Sequence, residues 1–177
     1  MRLIRSWPAK IPEGRSYVQD GIERLVMDGY DYHCLEQIDD DVLLLEWDIA
    51  VGAHELLRFA DRAKATPERV LVAPYPIYRS TLSLVDLGRS VYPMRLYNEG
   101  NYTMRWCTPE DPECHTFGFG MTYLPRQLIK EYLADDYPGL FNDVAFSQWH
   151  YLHAEPREVP IAWDCPAVHL NYTLPEL

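Results

Sequence analysis

The run Val42-Leu43-Leu44-Leu45 constrains the fold most, because four apolar residues without alternation suit a strand covered on both faces. It stops at once on Glu46-Trp47-Asp48. Carboxylates this close to a core are costly unless something cationic meets them. In an extended segment residues two apart point the same way, so Glu46 and Asp48 are expected to face one site while Trp47 turns into the fold. Open α/β sheets hold ligands beyond the carboxyl ends of their strands, which is where this pair falls.

The flanking sequence extends the pattern. "LIRSWP" reads as a first strand, and "RSYVQDGIERLVMDGY" sets Val18, Ile22, Leu25 and Val26 on one helical face before Gly29. "DYHCLEQ" reads as a strand and "VLLLEWDIAV" as a second, buried one. "AHELLRFADRAKA" puts Leu56, Leu57, Phe59, Ala60 and Ala63 at helical spacing, and "RVLVAPYPIY" follows as another strand. The first half is β-α-β-β-α-β in outline, an α/β fold with a single open, mainly parallel sheet flanked by helices. From Tyr78 to Gly120 short strands and long loops are expected. "LPRQLIKEYLADDYPG" then predicts a helix with Pro125 in its first turn and Leu128, Ile129, Tyr132 and Leu133 as its apolar stripe. "FNDVAFSQWHYLHAE" predicts a second helix capped by Asn142 or Asp143, and "REVPIAWDCPAVHLNY" a closing extended segment. Neither a repeat nor a linker divides the chain, so residues 1–177 are expected to form one domain.

Charge narrows the function classes. A net charge of -11 argues against broad, unspecific contact with nucleic acid or an anionic membrane. Two segments are locally basic: one carries Arg2, Arg5, Lys10 and Arg15, the other Arg79, Arg89, Arg95 and Arg105. Such a protein can bind a phosphorylated ligand locally while repelling polyanions elsewhere. No stretch approaches the roughly 18 apolar residues of a membrane span, and Pro8 and Pro12 interrupt the N-terminus before a signal-peptide core, so a soluble, cytoplasmic protein is expected. Cys34, Cys107, Cys114 and Cys165 lack regular metal-site spacing and read mostly as reduced thiols, although Cys107, Cys114 and His115 invite a zinc reading.

A hard divalent cation is the natural partner for Glu46 and Asp48. Mg²⁺ or Mn²⁺ takes oxygen ligands, uses one or two protein carboxylates and leaves other positions for water and substrate phosphates. The architectural alternative has Asp48 capping the next helix and Glu46 pairing with a surface arginine.

Taken with the rest of the chain, the order of features resembles nucleotide-sugar-dependent glycosyltransferases of the GT-A fold. Their D-x-D motif at the end of a buried strand is similar to Glu46-Trp47-Asp48, with Glu replacing the first Asp. Their glycine-containing acceptor loop leading into a helix is similar to "FGFGMTYLPRQLI", and the acidic motif at a later helix start to "NDVAFSQW". A downstream histidine that completes the metal shell corresponds to His169 in "AVHLNY". The resemblance spans about Asp39 to Tyr172. The region before the motif is short for the family, which marks the chain as a minimal member.

The resemblance implies Mn²⁺ or Mg²⁺ held by Glu46, Asp48 and His169, and a nucleoside-diphosphate sugar as donor. Arg5, Trp47, Asp48, Gly118 and Gly120 are the residues assigned to that donor. Asp143 is then the general base toward an acceptor hydroxyl, in an inverting transfer, with helix capping as its architectural alternative. The acceptor is a small molecule, a glycan, a protein or a modified DNA base, and the compact size fits a small phage or bacterial enzyme. Two other classes stay open. Asp143, His150 and His153 share a helix face at spacings of seven and three, a pattern that suits a metal-dependent hydrolase. A noncatalytic nucleotide- or sugar-binding module would keep the pocket without needing Asp143. The aromatics Trp47, Tyr75, Tyr78, Tyr97, Tyr102, Trp106 and Trp149 offer stacking faces, most of them expected in the core.

Overall fold

A computed structural model of the chain describes residues 1–76, 91–92, 94–98, 103–135 and 141–170, with side chains over 1–75, 107–135 and 141–170. The expectations for Tyr78, Arg79, Arg89, Tyr102 and Tyr172, and for the side chains of Arg95, Tyr97, Arg105 and Trp106, lie outside the described residues. The central sheet contains β1 (Arg2–Pro8), β2 (Glu23–Met27), β3 (Val42–Leu45), β5 (Leu71–Val72) and β11 (Met121–Leu124), in the order β2-β1-β3-β11-β5. Between them come β4 (Ile49–Ala50), β6 (Tyr75–Pro76), β7 (Val91–Tyr92), β8 (Met94–Asn98), β9 (Thr103–Trp106) and β10 (Glu113–Cys114), and after them β12 (Val159–Pro160) and β13 (Val168–His169). The helices are α1 (Ala53–Ala65), α2 (Arg126–Ala134) and α3 (Asp143–His153).

The sheet is mixed, which corrects the expectation of a mainly parallel one. β1 runs parallel to both β2 and β3, but β11 runs antiparallel to β3 on one side and β5 on the other. The glycine-containing stretch thus leads into a strand first and reaches α2 only after it. β3 is buried on both faces, as its composition requires. Val42 and Leu44 join the core under α2 and α3 with Ile129, Tyr132, Phe141, Phe146 and Trp149. Leu43 and Leu45 face the opposite way, toward Phe59 and Ala63 of α1. Alternation of direction along one strand therefore builds both layers. Within α1 the stripe is Leu56, Phe59, Ala60 and Ala63, while Leu57 is exposed.

Two other expectations are corrected. The segment with Val18, Ile22, Leu25 and Val26 forms no helix: its first part is irregular and Glu23–Met27 becomes the edge strand β2. Asp20 accepts from the Ile22 backbone and is drawn into an ion pair with Arg5, so pairing with β1 overrides the helical spacing. "DYHCLEQ" contains a 3-10 helix, His33–Gln37, because Asp31 accepts from the His33 backbone and starts a turn that buries Leu35. Pro125 stands at the N-cap, directly before Arg126.

Gly120 is where the sheet requires a glycine. An added Cβ would stand 2.3 Å from a carbon of the buried Tyr75 ring, and the Gly120 carbonyl accepts from the Glu46 backbone at 2.9 Å. Gly120→Ala is therefore expected to cost about 1–3 kcal/mol in urea denaturation, with part recovered by adding Tyr75→Leu. An unchanged midpoint would mean that the ring yields freely.

Candidate metal centre

The site is built on a turn at the end of β3. Glu46 to Ile49 close a tight turn, with the Ile49 N–H donating to the Glu46 carbonyl at 3.1 Å. Glu46 and Asp48 thus share a side through a turn, where the sequence suggested a continuous strand. Three contacts hold it. The Glu46 N–H donates to Gly120, the Val18 N–H donates to the Trp47 carbonyl at 2.9 Å, and Arg5 reaches beneath. Arg5 Nη1 donates to the carbonyls of Glu46 at 2.5 Å and Ile49 at 3.0 Å, while Nε and Nη2 grip Asp20, the closest contact being 2.6 Å.

This redirects Arg5 from the expected donor contact: it is 1% exposed and engaged by the turn. Trp47 is buried as well. Gly118 accepts a hydrogen bond from Thr122 through its carbonyl, and Gly120 backs onto Tyr75, so both glycines support the strand beside the site.

His169 arrives by strand pairing. β13 runs antiparallel to β4, with His169 opposite Ile49 and Val168 opposite Ala50, and the Leu170 N–H donates to the Asp48 carbonyl. This sets the imidazole beside the carboxylate across more than a hundred residues of sequence. His169 Nε2 lies 3.6 Å from Asp48 Oδ2, and Tyr75 packs against the ring at 6.0 Å between centroids. One ligand atom from each of Glu46, Asp48 and His169 falls within 4.8 Å of the others, a spacing that could hold a metal ion.

The electrostatics make a cation welcome. Burial, then the nearby charges of Asp143 and Asp48, push the Glu46 carboxyl up to about 8, against a hydrogen bond from Tyr32 that pulls the other way. The Tyr32 hydroxyl donates to Glu46 Oε1 at 3.0 Å, and Ser6 lies behind it. Burial lowers the His169 imidazole; Asp48 opposes this and the positive charge of Arg15 reinforces it. A neutral imidazole with its lone pair available is the form a metal takes.

Asp143 belongs to the same neighbourhood, since its charge acts on both Glu46 and Tyr32. Helix capping belongs to its neighbour. Asn142 Oδ1 accepts from the Ala145 backbone at 2.8 Å, and Asp143 occupies the first helical position with one oxygen bonded to the Val144 N–H. Burial raises the Asp143 carboxyl, with its own turn opposing. Gly52, not Asp48, occupies the N-cap of α1.

The face of Asp143, His150 and His153 does not converge. His153 stacks on Trp149 and lies 3.8 Å from Asp135, and His150 is buried beneath Phe146 and Phe117. Among the described residues neither this set nor Cys107, Cys114 and His115 forms a metal-holding group. The sequence missed Tyr32, because its role depends on a contact with Glu46, and named Arg15 only as part of a basic segment.

The sequence matches no protein-family model and no curated protein. Among solved structures, A197 from STIV is similar in fold, with a TM-score of 0.55 and 16% identity over 100% of this chain and 98% of that one. At that identity the likeness shows a shared fold alone. No described helix is long and apolar enough to cross a membrane.

His150 makes a second, acid-sensitive point. Its Nδ1 is buried without a hydrogen-bond partner, beside a cavity of about 20 Å³ lined by Glu68, Arg69 and Glu158 among others. Burial pushes the imidazole down to about 4. An unfolded histidine titrates near 6.5, so between these values the unfolded chain binds the extra proton. Its contribution is complete above about pH 6.5 and is lost toward pH 4, by up to about 3 kcal/mol. His150→Gln should flatten the acid limb of a denaturation series from pH 7 to 4.5, whereas identical limbs would acquit His150.

Proposed function

We propose that this chain is a divalent-metal-dependent glycosyltransferase, moving a sugar from a nucleoside-diphosphate donor to an acceptor hydroxyl with inversion. One observation carries the reading: Glu46, Asp48 and His169 converge at the carboxyl end of β3, with the Asp143 charge within reach of Glu46. The donor set fits a metal, two carboxylates and a neutral imidazole offering two hard oxygens and one nitrogen. That mixture suits Mn²⁺ at least as well as Mg²⁺. The resemblance of Glu46-Trp47-Asp48, the acidic start of α3 and the downstream histidine to the GT-A pattern supplies the reaction class.

When bound, the divalent ion would supply positive charge where negative charge builds on the departing diphosphate. Each residue then has a defined task. Asp48, Glu46 and His169 would hold the ion, and Tyr32 orients Glu46 by donating to one of its oxygens. Asp143 takes the proton of the acceptor hydroxyl as that oxygen attacks the sugar. The cytoplasm, where nucleotide sugars are soluble, is the setting this chemistry calls for.

Mn²⁺ titrated into the protein by calorimetry should bind, and Asp48→Ala should abolish that binding. The apo fold of the mutant should melt close to wild type, since Gly52 and not Asp48 occupies the N-cap of α1 and the mutation removes a charge that acts on Glu46. Equal Mn²⁺ uptake by both proteins would remove the metal from the reading.

Asp143→Asn addresses the base. With Asn142 retaining the cap, stability should change little, while transfer from a panel of UDP- and GDP-sugars should slow roughly 10²-fold or more. Full turnover in the mutant would exclude Asp143 from the chemistry.

A further inference from the structure

Residues 9–22 cross the carboxyl end of the sheet as an irregular segment fastened at several points. The Ala9 N–H donates to Met27, the Val18 N–H to Trp47, and Asp20 pairs with Arg5. Tyr17 packs edge-on against Trp7 at 5.5 Å between centroids. Between these anchors lies the turn Pro12-Glu13-Gly14-Arg15, closed by the Arg15 N–H on the Pro12 carbonyl at 3.3 Å. Gly14 takes a φ of +74° in it, the conformation that a type II turn requires of its third residue.

The path of this segment fixes where Arg15 can be. Three residues span at most about 10 Å, and Val18 is bonded to the residue between Glu46 and Asp48. That bound leaves Arg15 within reach of the cluster, and its positive charge registers on His169. The other arginines with described side chains each have a partner. Arg2, Arg5, Arg58, Arg62, Arg69, Arg126 and Arg157 make ion pairs with carboxylates, and Arg24 lies over Trp7. Arg15 is exposed, and among the described residues it makes neither kind of contact.

We propose that Arg15 is an anion-binding residue of this site, holding a phosphate group of a diphosphate ligand against the metal centre. The inference rests on the metal reading of the same cluster, and charge balance supports it. A diphosphate carries more negative charge than one divalent ion cancels, so a second cation beside the ion is needed for it to approach acids as close as Asp48 and Asp143. Arg5 lies under the turn but is already neutralised by Asp20. Among the described residues no carboxylate engages Arg15, so its guanidinium can offer phosphate oxygens the fork geometry that suits them.

Inorganic pyrophosphate is the probe, titrated into wild type, Arg15→Ala and Arg15→Lys, in Mn²⁺ and again in EDTA, with Mn²⁺ alone titrated into each protein beforehand. Arg15→Ala is expected to bind Mn²⁺ as wild type does and to bind pyrophosphate roughly tenfold more weakly or worse. Arg15→Lys should fall between them. Unchanged circular dichroism and melting of Arg15→Ala would tie the loss to the ligand. Pyrophosphate binding by Arg15→Ala at wild-type affinity in both buffers overturns the inference, as does a wild type that binds no pyrophosphate in either. A wild type that takes up no Mn²⁺ and binds pyrophosphate equally in EDTA overturns the metal reading. In that case loss of pyrophosphate binding in Arg15→Ala still assigns the anion to Arg15.

Discussion

The guanidinium of Arg5 is the interaction on which the site depends. Buried beneath β1, it donates to the Glu46 and Ile49 carbonyls at the two ends of the acidic turn and is neutralised by Asp20 from the crossing segment. One side chain thus ties together the first strand, the turn and the segment that carries Arg15. A buried cation is costly unless it is paired and hydrogen-bonded, and removing one partner leaves the other uncompensated. Arg5 meets both conditions. Five donors in a rigid plane allow it to bridge two carbonyls and a carboxylate at once, which the single ammonium of a lysine could not do in the same geometry.

With the turn fixed, its carboxylates have little freedom to avoid each other. Burial first, then the charges of Asp143 and Asp48, push the Glu46 carboxyl up to about 8. Tyr32 offers one hydrogen bond, too little to offset two neighbouring charges. Structural ion pairs relieve such crowding with arginines, as on the surface between α1 and Asp164, where Arg58 and Arg62 converge on one carboxylate. At the end of β3 the relief available inside the protein is a neutral histidine. Acids gathered this closely, with one ligand atom each from Glu46, Asp48 and His169 within 4.8 Å of one another, form a site that gains from a cation taken from solution, and the proposed metal binding rests on that convergence.

The parts of this arrangement legible in the sequence are those that depend on neighbours along the chain. Four unbroken apolar residues implied a strand covered twice, and Val42 to Leu45 divide between the two cores accordingly. The helix α2 was readable because Leu128, Ile129, Tyr132 and Leu133 turn to the core together, whereas α1 exposes Leu57 and α3 exposes Val144 and Leu152. Segment 15–30 was misread because parallel pairing with β1 and the capture of Asp20 by Arg5 outweigh a 3.6-residue spacing, and neither partner is local. β11 itself was hidden, since Met121 to Leu124 follow two glycines and read as the end of a loop leading into α2, while the partners that make them a strand, β3 and β5, are distant in sequence. At the site, order along the chain brought Glu46, Asp48 and His169 under consideration together, but their convergence depends on the short pairing of β4 with β13. Glycine spacing gave no indication that Gly120 accommodates the Tyr75 ring.

The start of α3 illustrates how two similar side chains divide between architecture and chemistry. Asn142 and Asp143 are adjacent and either could cap a helix, so sequence alone leaves the choice open. Here the cap requires extended backbone and an oxygen aimed at the third amide of the helix, and Asn142 has both. Asp143, one residue later, is already helical, so its carboxylate projects toward the neighbourhood of Glu46 and Tyr32 while still drawing on the helix N-terminus through Val144. The positive end of α3 offsets part of what burial costs this carboxylate. An amide at 142 and an acid at 143 therefore assign stability to one residue and leave the charge of the other available to a ligand, a division that the reverse order could not provide.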